Sequence, residues 1–397
     1  MKKILFINLY FEIGGVETLL LRIIRSLNNE GYSSTVLLLR KRYDPCLLKQ
    51  LREIANVIFL SDIRCLSPKK IKSKLGASFN HIFVTINDAL LVGAILQRWL
   101  YPGSHLIAGV YQTEIFCAPI TWRYLHRRVI NDLFCYCVPD QNKIMVNEAT
   151  RDYHQLQLNH DLSLSKVVPL IVDIEKYAPP KREQVNRNKI VSIGRLVDFK
   201  TYNLTFFDVL LSLNDKGLYF EWHVYGDGPL DIQMQELIER YGLQEQVFLH
   251  GVLNYSNFKS VVSDAFVFVG SGTAIIEAAA CGVPVIPAIE YAETAVSYGF
   301  FNEIEGISFC EPGVNKKSVN IISLILMLSK LDASEYNRIC FLSTEKAEIF
   351  SEKNVVNLYL SAFSNSLDSK SRISLSQLLS FVWRFIISKA NAFKFKD

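Results

Sequence analysis

Short apolar runs alternate with longer segments of helical periodicity along most of the chain. Residues 17–28 are typical of the helical segments, because their leucines and isoleucines recur on one helical face. Continuous apolar strands joined by helices are typical of parallel sheets that are covered on both faces. The pattern therefore predicts an α/β protein with strands at 3–8, 34–39, 56–60, 81–87, 105–111, 143–147, 166–172, 189–194, 219–225, 246–250, 265–270, 283–288 and 307–310.

One sheet containing all of these strands would be unusually wide, so the pattern favours two doubly wound domains. The 397 residues are enough for two such domains. A polar, proline-marked stretch without periodicity at 177–189 predicts the boundary between them. Two doubly wound domains that face each other would form a ligand cleft at the carboxyl ends of their strands. We expect domains over 1–176 and 177–350, a helix at 351–368 that crosses back to the first domain, and a tail over 369–397.

The charge is unevenly distributed along the chain. Half of the residues are hydrophobic and 21% are charged, which excludes a disordered, collagen-like or coiled-coil protein. The net charge of +4 comes from residues 369–397, which carry six Lys or Arg and one Asp, whereas the rest is close to neutral. A near-neutral body argues against a nucleic-acid partner, and the basic tail allows contact with anionic lipid.

The tail has one apolar helical face, formed by Leu375, Leu378, Leu379, Val382 and Ile386. This pattern predicts a basic amphipathic helix at a membrane surface, with packing against the first domain as the alternative. Two basic segments, 68–74 and 122–128, are either membrane-facing or solvated helix faces. No apolar run reaches membrane-spanning length.

Eight cysteines without metal-ligand spacing predict reduced, mostly buried thiols. Such cysteine use in a long chain indicates a cytosolic protein. The amino-terminal segment is predicted to be a first strand and not a signal peptide, because no small-residue cleavage site follows its apolar stretch.

Gly14 and Gly15 follow the first predicted strand and precede a helix. Two glycines let the backbone turn tightly and bring free N–H groups to a helix N-terminus, which is a favourable place for phosphate. The pattern is not GxGxxG, so a simple strand-to-helix turn is the alternative.

Arg195 and Lys200 follow the first strand of the second domain. From a strand end they can converge on one anion, with Arg supplying a fork and Lys a point charge. The alternative is a pair of solvated surface cations.

A loop of small residues, Gly270, Ser271, Gly272 and Thr273, joins a strand to a helix. Its free N–H groups predict a second anion-binding loop. Glu277 lies one turn into that helix among apolar residues. Because a buried acid is costly without partners, Glu277 is a candidate to accept hydrogen bonds from sugar hydroxyls.

Taken together, these motifs resemble retaining glycosyltransferases of family 4, which have the GT-B fold of two Rossmann-like domains facing across a cleft. The resemblance covers about residues 1–365. It rests on GGVE at 14–17, PLIVD at 169–173, GRLxxxK at 194–200, GDGP at 226–229, VFLHG at 247–251 and GxGxxxxEAxAxGxPVI at 270–286.

The resemblance implies an acceptor-binding first domain and a second domain that binds a nucleotide-sugar donor. Arg195 and Lys200 would neutralise the diphosphate, Glu277 would hold the ribose, and loop 270–273 with Gly15 would donate N–H groups. These cations and N–H groups stabilise a departing diphosphate, so we expect no divalent metal and no other cofactor. The resemblance also implies front-face retention, and Asp227 is expected to shape the GDGP turn.

Two positions depart from the family pattern. Val269 stands where the family usually has a glutamate that contacts the donor sugar. Gln112 stands where it tends to have a histidine, and glutamine can bind a sugar hydroxyl but cannot carry a proton. The diphosphate end of the site is therefore expected to be intact and the sugar end altered.

The sequence thus predicts a retaining glycosyltransferase at the cytoplasmic face of the membrane. It would transfer a sugar to a glycan or lipid-linked acceptor in the synthesis of O-antigen, capsule or lipopolysaccharide. Two alternatives remain at this stage: a non-catalytic partner protein that binds nucleotide sugar, and a two-Rossmann sugar-nucleotide epimerase.

Overall fold

The computed structural model describes residues 2–12, 14–112, 115–117, 126–177, 185–313, 317–368 and Trp383; for His126, Arg127 and Tyr255 it describes the backbone alone. Contacts within the chain divide it into two compact units. One unit consists of Met1–Ile171 together with the segment from Val355, and the other consists of Val172–Asn354.

The first unit is an α/β structure. Its strands are β1 (Lys2–Asn8), β2 (Tyr32–Leu38), β3 (Asn56–Phe59), β4 (His81–Val84), β5 (His105–Val110), β6 (Lys143–Met145) and β7 (Lys166–Val167). They pair in parallel in the order β3-β2-β1-β4-β5-β6-β7. The helices are α1 (Gly15–Asn29), α2 (Pro45–Ile54), α3 (Pro68–Leu75), α4 (Asn87–Trp99), α5 (His126–Cys137) and α6 (Glu148–Leu158).

Strand β1 shows why this sheet is covered on both faces. Leu5 and Ile7 belong to one buried cluster, and Ile4 and Phe6 belong to another. Successive side chains of a strand point to opposite faces, so a continuous apolar run places hydrophobic groups on both.

The second unit repeats this architecture. Its strands are β8 (Asn186–Ile193), β9 (Glu221–Tyr225), β10 (Val247–Leu249), β11 (Ala265–Gly270) and β12 (Val285–Pro287), which pair in parallel in the order β10-β9-β8-β11-β12. A short antiparallel pair consists of β13 (Val296–Ser297) and β14 (Val319–Asn320). The helices are α7 (Ile174–Tyr177), α8 (Tyr202–Asn214), α9 (Asp231–Tyr241), α10 (Phe258–Val262), α11 (Thr273–Ala280), α12 (Ile321–Lys330) and α13 (Ala333–Ala347).

Each sheet has a point at which the strand order reverses. In the first unit it lies between β1 and β4, and in the second between β8 and β11. In open α/β sheets, ligands bind at the carboxyl ends of the two strands that flank this point.

Helix α14 (Glu352–Ser364) follows the second unit in the chain but belongs to the first unit from Val355 onwards. The Tyr359 hydroxyl lies 2.6 Å from the Tyr111 hydroxyl, and His81 Nε2 lies 3.2 Å from the Phe363 carbonyl. The tail predicted as an amphipathic helix lies outside the described residues, apart from Trp383. In the described part of the chain, no helix is long and apolar enough to cross a membrane.

The strand predicted at 307–310 is wrong. These residues have no regular secondary structure, and the N–H groups of Phe309 and Cys310 donate to the Glu311 carboxylate, at 3.0 and 3.1 Å. The apolar pattern arises because Phe309 and Cys310 are buried in a hydrophobic cluster. Burial without a partner strand therefore produced a strand-like pattern.

Candidate functional site

The loop after β8 carries the two predicted cations. Gly194 has a φ of +156°, and a Cβ added there would lie 2.7 Å from Lys200 Nζ. A side chain at position 194 would therefore take the space that the Lys200 ammonium occupies. Lys200 is half-buried and Arg195 is exposed, so the two cations lie in different environments.

The GDGP turn packs backbone to backbone against this loop. A Cβ on Gly226 or Gly228 would collide with the carbonyl oxygen of Gly194 or Leu196, respectively. The Leu196 N–H donates to the Asp227 carbonyl at 2.8 Å. The turn thus fixes the backbone from which Arg195 and Lys200 extend.

Loop 270–273 leads from β11 into α11. Gly272 is the N-cap residue with a φ of +79°, a conformation that favours glycine. Ser271 is 1% exposed, whereas Gly272 is exposed and Thr273 half-buried. The first N–H groups of a helix have no acceptor within it, so this end of α11 favours an anion.

Glu277 lies in the middle of α11 and is 1% exposed. The buried Tyr177 hydroxyl donates to its Oε1 at 3.4 Å. A ligand hydroxyl that reached Glu277 would therefore have to take the place of, or add to, that of Tyr177.

A further carboxylate, Glu290, approaches Lys200, although no motif in the sequence marks it. Burial raises the pKa of Glu290, while the Ser271 hydroxyl and the Lys200 charge oppose this rise. Burial lowers the pKa of Lys200, and the nearby charge of Arg195 lowers it further. The charge of Glu290 is the largest influence that raises it. The one signal that could have found Glu290 is its place just after β12, at the carboxyl edge of the sheet.

In the first unit, Gly14 is the N-cap of α1, and its carbonyl accepts the Thr18 N–H at 3.1 Å. A Cβ on Gly14 would collide with the Glu17 carboxylate, whereas Gly15 is exposed with open space around it. Burial raises the pKa of the half-buried Glu17, against a lowering contribution from Asn8 at the end of β1. Glu17, the last residue of the GGVE motif, is thus a second titratable group at a strand reversal.

Gln112 follows β5 and is exposed. Its carbonyl accepts the Ile115 N–H at 3.3 Å. Strand β4 separates β5 from β1 in the sheet, so Gln112 lies at the same edge as Gly14 but one strand beyond the reversal.

Residues 173–290 match the family model described as glycosyl transferases group 1. The chain is 27% identical over 128 residues to the putative colanic acid biosynthesis glycosyltransferase WcaL of Escherichia coli strain K12, covering 29% of this chain and 31% of that protein. It is 25% identical over 166 residues to the phosphatidylinositol N-acetylglucosaminyltransferase gpi3 subunit of Schizosaccharomyces pombe, covering 40% of this chain and 36% of that protein. The chain therefore spans about a third of the length of these curated relatives.

Solved structures resemble the chain over most of its length. The crystal structure of Anabaena HepE in complex with UDP has a TM-score of 0.66 at 17% identity, covering 92% of this chain and 100% of that chain. The apo form of the lipopolysaccharide outer core galactosyltransferase WaaB has a TM-score of 0.62 at 16% identity, with the same coverage. This likeness shows the fold, two Rossmann-like α/β domains of the GT-B type, and confirms the predicted fold class. The family match itself is confined to residues 173–290, which lie within the second unit.

Proposed function

We propose that this protein is a retaining glycosyltransferase that takes a sugar from a nucleoside diphosphate sugar and adds it to a glycan or lipid-linked acceptor. The observation that carries the proposal is the strand reversal between β8 and β11. There, Lys200, Arg195 and loop 270–273 follow two neighbouring strands at their carboxyl ends. Cations and free N–H groups at one such edge fit a diphosphate.

The chemistry follows from the charge that develops during transfer. When the sugar leaves, negative charge grows on the diphosphate and positive charge on the anomeric carbon. Lys200, Arg195 and the N–H groups of loop 270–273 would stabilise the departing diphosphate, without a metal ion in this role. Glu277 would accept hydrogen bonds from the ribose, with Tyr177 as its partner in the absence of ligand. Retention by front-face transfer rests on the family resemblance.

The acceptor class is proposed from two kinds of relative. WcaL and WaaB bear names that refer to colanic acid and to the lipopolysaccharide outer core. The relative from Schizosaccharomyces pombe bears a name that refers to a lipid, phosphatidylinositol. We therefore propose a surface polysaccharide or its lipid-linked precursor as the acceptor.

A non-catalytic protein that binds nucleotide sugar is the second candidate. It is motivated by Val269, which is fully buried in a hydrophobic cluster and offers no polar group to a sugar. Donor hydrolysis separates the two candidates, because any turnover by the purified protein excludes the inert one.

Lys200→Ala and Glu277→Gln test the site. A thermal-shift panel of UDP and GDP sugars first identifies the donor, since at a fixed ligand concentration the stabilisation increases with the ligand's affinity. Each variant should then lower donor hydrolysis and transfer by about 10²–10³-fold, the range for the loss of one transition-state contact.

The matched controls are Lys216→Ala and Glu236→Gln, two exposed charges of the same unit. They should retain wild-type turnover. Near-normal activity in both site variants would show that the diphosphate and ribose do not bind at these residues.

We further propose that the protein works at the inner face of the cell membrane through residues 369–397. Deletion of these residues should move the protein from the membrane pellet to the supernatant, because the basic, apolar face is lost. Donor-induced thermal stabilisation is the control and should persist. A truncated protein that still sediments with membranes would contradict a membrane role for the tail.

A further inference from the structure

The backbone around Glu290 is held at the edge of the donor-side sheet. The Ala288 N–H donates to the Gly270 carbonyl at 2.8 Å, so the chain leaving β12 runs beside loop 270–273. The Glu290 N–H donates to the Cys310 carbonyl at 2.9 Å, and the next N–H, of Tyr291, donates to the Phe199 carbonyl at 2.8 Å. Glu290 is therefore fixed between the loop that follows β8 and the segment before Glu311.

Tyr291 reinforces this placement at a conformational cost. Its φ is +59°, which is unusual for a residue other than glycine, and its ring stacks on Phe199 with centroids 5.8 Å apart. Strained conformations of this kind persist where the surroundings impose them and are concentrated at functional sites. The strain lies directly beside Glu290.

The polar groups around Glu290 are not joined to it by an ion pair. In the described part of the chain, neither the Lys200 ammonium nor the Glu290 carboxylate makes an ion pair within 4.0 Å. Ser271 Oγ is buried and makes no hydrogen bond of good geometry among the described residues, but it lies close to both the Glu290 carboxylate and the Tyr202 hydroxyl. The Lys200 ammonium, the Glu290 carboxylate and the Ser271 hydroxyl are thus neighbours, and no ion pair joins Lys200 to Glu290.

The neighbouring strand supplies no competing acid. Strand β11 ends in Val269, which is buried, and Gly270, which has no side chain. A carboxylate repels phosphate but is a strong acceptor for hydroxyl groups. In a nucleotide sugar the phosphate adjoins a sugar ring rich in hydroxyls. Lys200 is therefore suited to the phosphate and Glu290 to the sugar hydroxyls.

We propose that Glu290 binds hydroxyl groups of the donor sugar and thereby determines which sugar is accepted. This inference rests on the proposed function, since it requires a nucleotide-sugar donor at the β8–β11 reversal. The competing role, in which Glu290 only orients Lys200, would affect the diphosphate as much as the sugar.

Calorimetric titration of Glu290→Gln separates these roles. The probes are UDP, GDP, UDP-glucose, UDP-N-acetylglucosamine and GDP-mannose, each titrated into the full-length protein. For the best wild-type donor, the affinity gained from the sugar should fall by about 10- to 100-fold in the variant, the range for one hydrogen bond to a charged group. The affinity for the free diphosphate should not fall, because removal of the Glu290 charge takes no attractive contact from a phosphate. Glu290→Asp should retain part of the sugar-dependent gain, because it keeps the charge.

Glu293→Gln is the matched control, an exposed acid in the same loop, and it should bind every probe like the wild type. Equal weakening of diphosphate and nucleotide sugar in Glu290→Gln, or no weakening, would overturn the inference. A wild-type protein that binds a diphosphate but gains nothing from any sugar would overturn it while leaving the proposed diphosphate site standing. A wild-type protein that binds neither diphosphate nor nucleotide sugar would overturn the proposed function itself.

Discussion

The two units share one architecture but differ at the carboxyl ends of their strands. In the second unit, Gly226 and Gly228 bring two loops into backbone contact, and Lys200, Ser271 and Glu290 are gathered at the same edge. In the first unit, Gly15 is exposed with open space around it, and Gln112 is exposed one strand away from the reversal.

This difference matches the two tasks in the proposed function. A diphosphate is the same in every donor, and stabilising its charge requires groups that are fixed in advance. Acceptors vary in shape, and an open edge places fewer demands on the backbone. We therefore expect the closely packed strand ends of the second unit to tolerate substitution less well than the open strand ends of the first.

Replacement of glycine by alanine gives the largest expected contrast between the units. Gly226→Ala should lower the free energy of unfolding by about 3 kcal/mol, because it adds a backbone collision to the cost of a positive φ. Gly15→Ala should change it by less than about 0.5 kcal/mol, because position 15 has neither a positive φ nor an atom that a Cβ would contact. Chemical denaturation followed by circular dichroism measures both values.

Gly217→Ala is an internal control for this contrast. Gly217 has a φ of +73° but open space around it, so its replacement should cost only about 1 kcal/mol. If Gly226→Ala were no worse than Gly217→Ala, the contact between the GDGP turn and the β8 loop would not be the constraint that distinguishes the second unit.

Acidification should destabilise the first unit more than the second, because of His81. Burial lowers the pKa of His81 to about 4, and the charges of His105 and Lys2 act in the same direction. Because the unfolded chain takes up this proton at about pH 6.5 and the folded chain only near pH 4, the first unit should lose up to about 3 kcal/mol of stability across that window. Burial raises the pKa of Glu290 in the second unit, which has the opposite consequence: protonation at lower pH removes the cost of its buried charge.

His81→Gln isolates this effect, because glutamine can donate to the Phe363 carbonyl but does not titrate in this range. Thermal unfolding midpoints recorded between pH 7 and 4 should fall more steeply for the wild type than for the variant. Parallel slopes would show that helix α14 is not held to the first unit by a neutral His81.

Much of the fold could be predicted from the apolar pattern, but the pattern also predicted a strand that does not form. The twelve parallel strands coincide with predicted strands, and central strands such as β4 and β11 are continuous apolar runs buried on both faces. The pattern failed at 307–310, where Phe309 and Cys310 are buried but pair with no strand. An apolar pattern indicates that a segment is buried. The segment forms a strand only if a neighbouring strand is present to hydrogen-bond with it.

Within the candidate site, glycines and charged residues that follow strands, such as Gly194 and Lys200, could be recognised from the local sequence. Glu290 was not, because a single acid in a loop has no pattern of its own, and Glu17 stood out only as the last residue of the GGVE motif. Their relevance depends on which strands lie side by side and how deeply each carboxyl is buried.

The sequence by itself determined that the chain forms two doubly wound α/β units and that glycine-rich turns and cations follow particular strands. Those features are local: they depend on the periodicity of side chains and on the conformations that glycine allows. Only the tertiary structure decided that Glu277 is buried against Tyr177 and that Glu290 faces Lys200 and Ser271. These relations join residues far apart in the chain, and they exist because parallel pairing of β8, β11 and β12 brings their carboxyl ends to one edge.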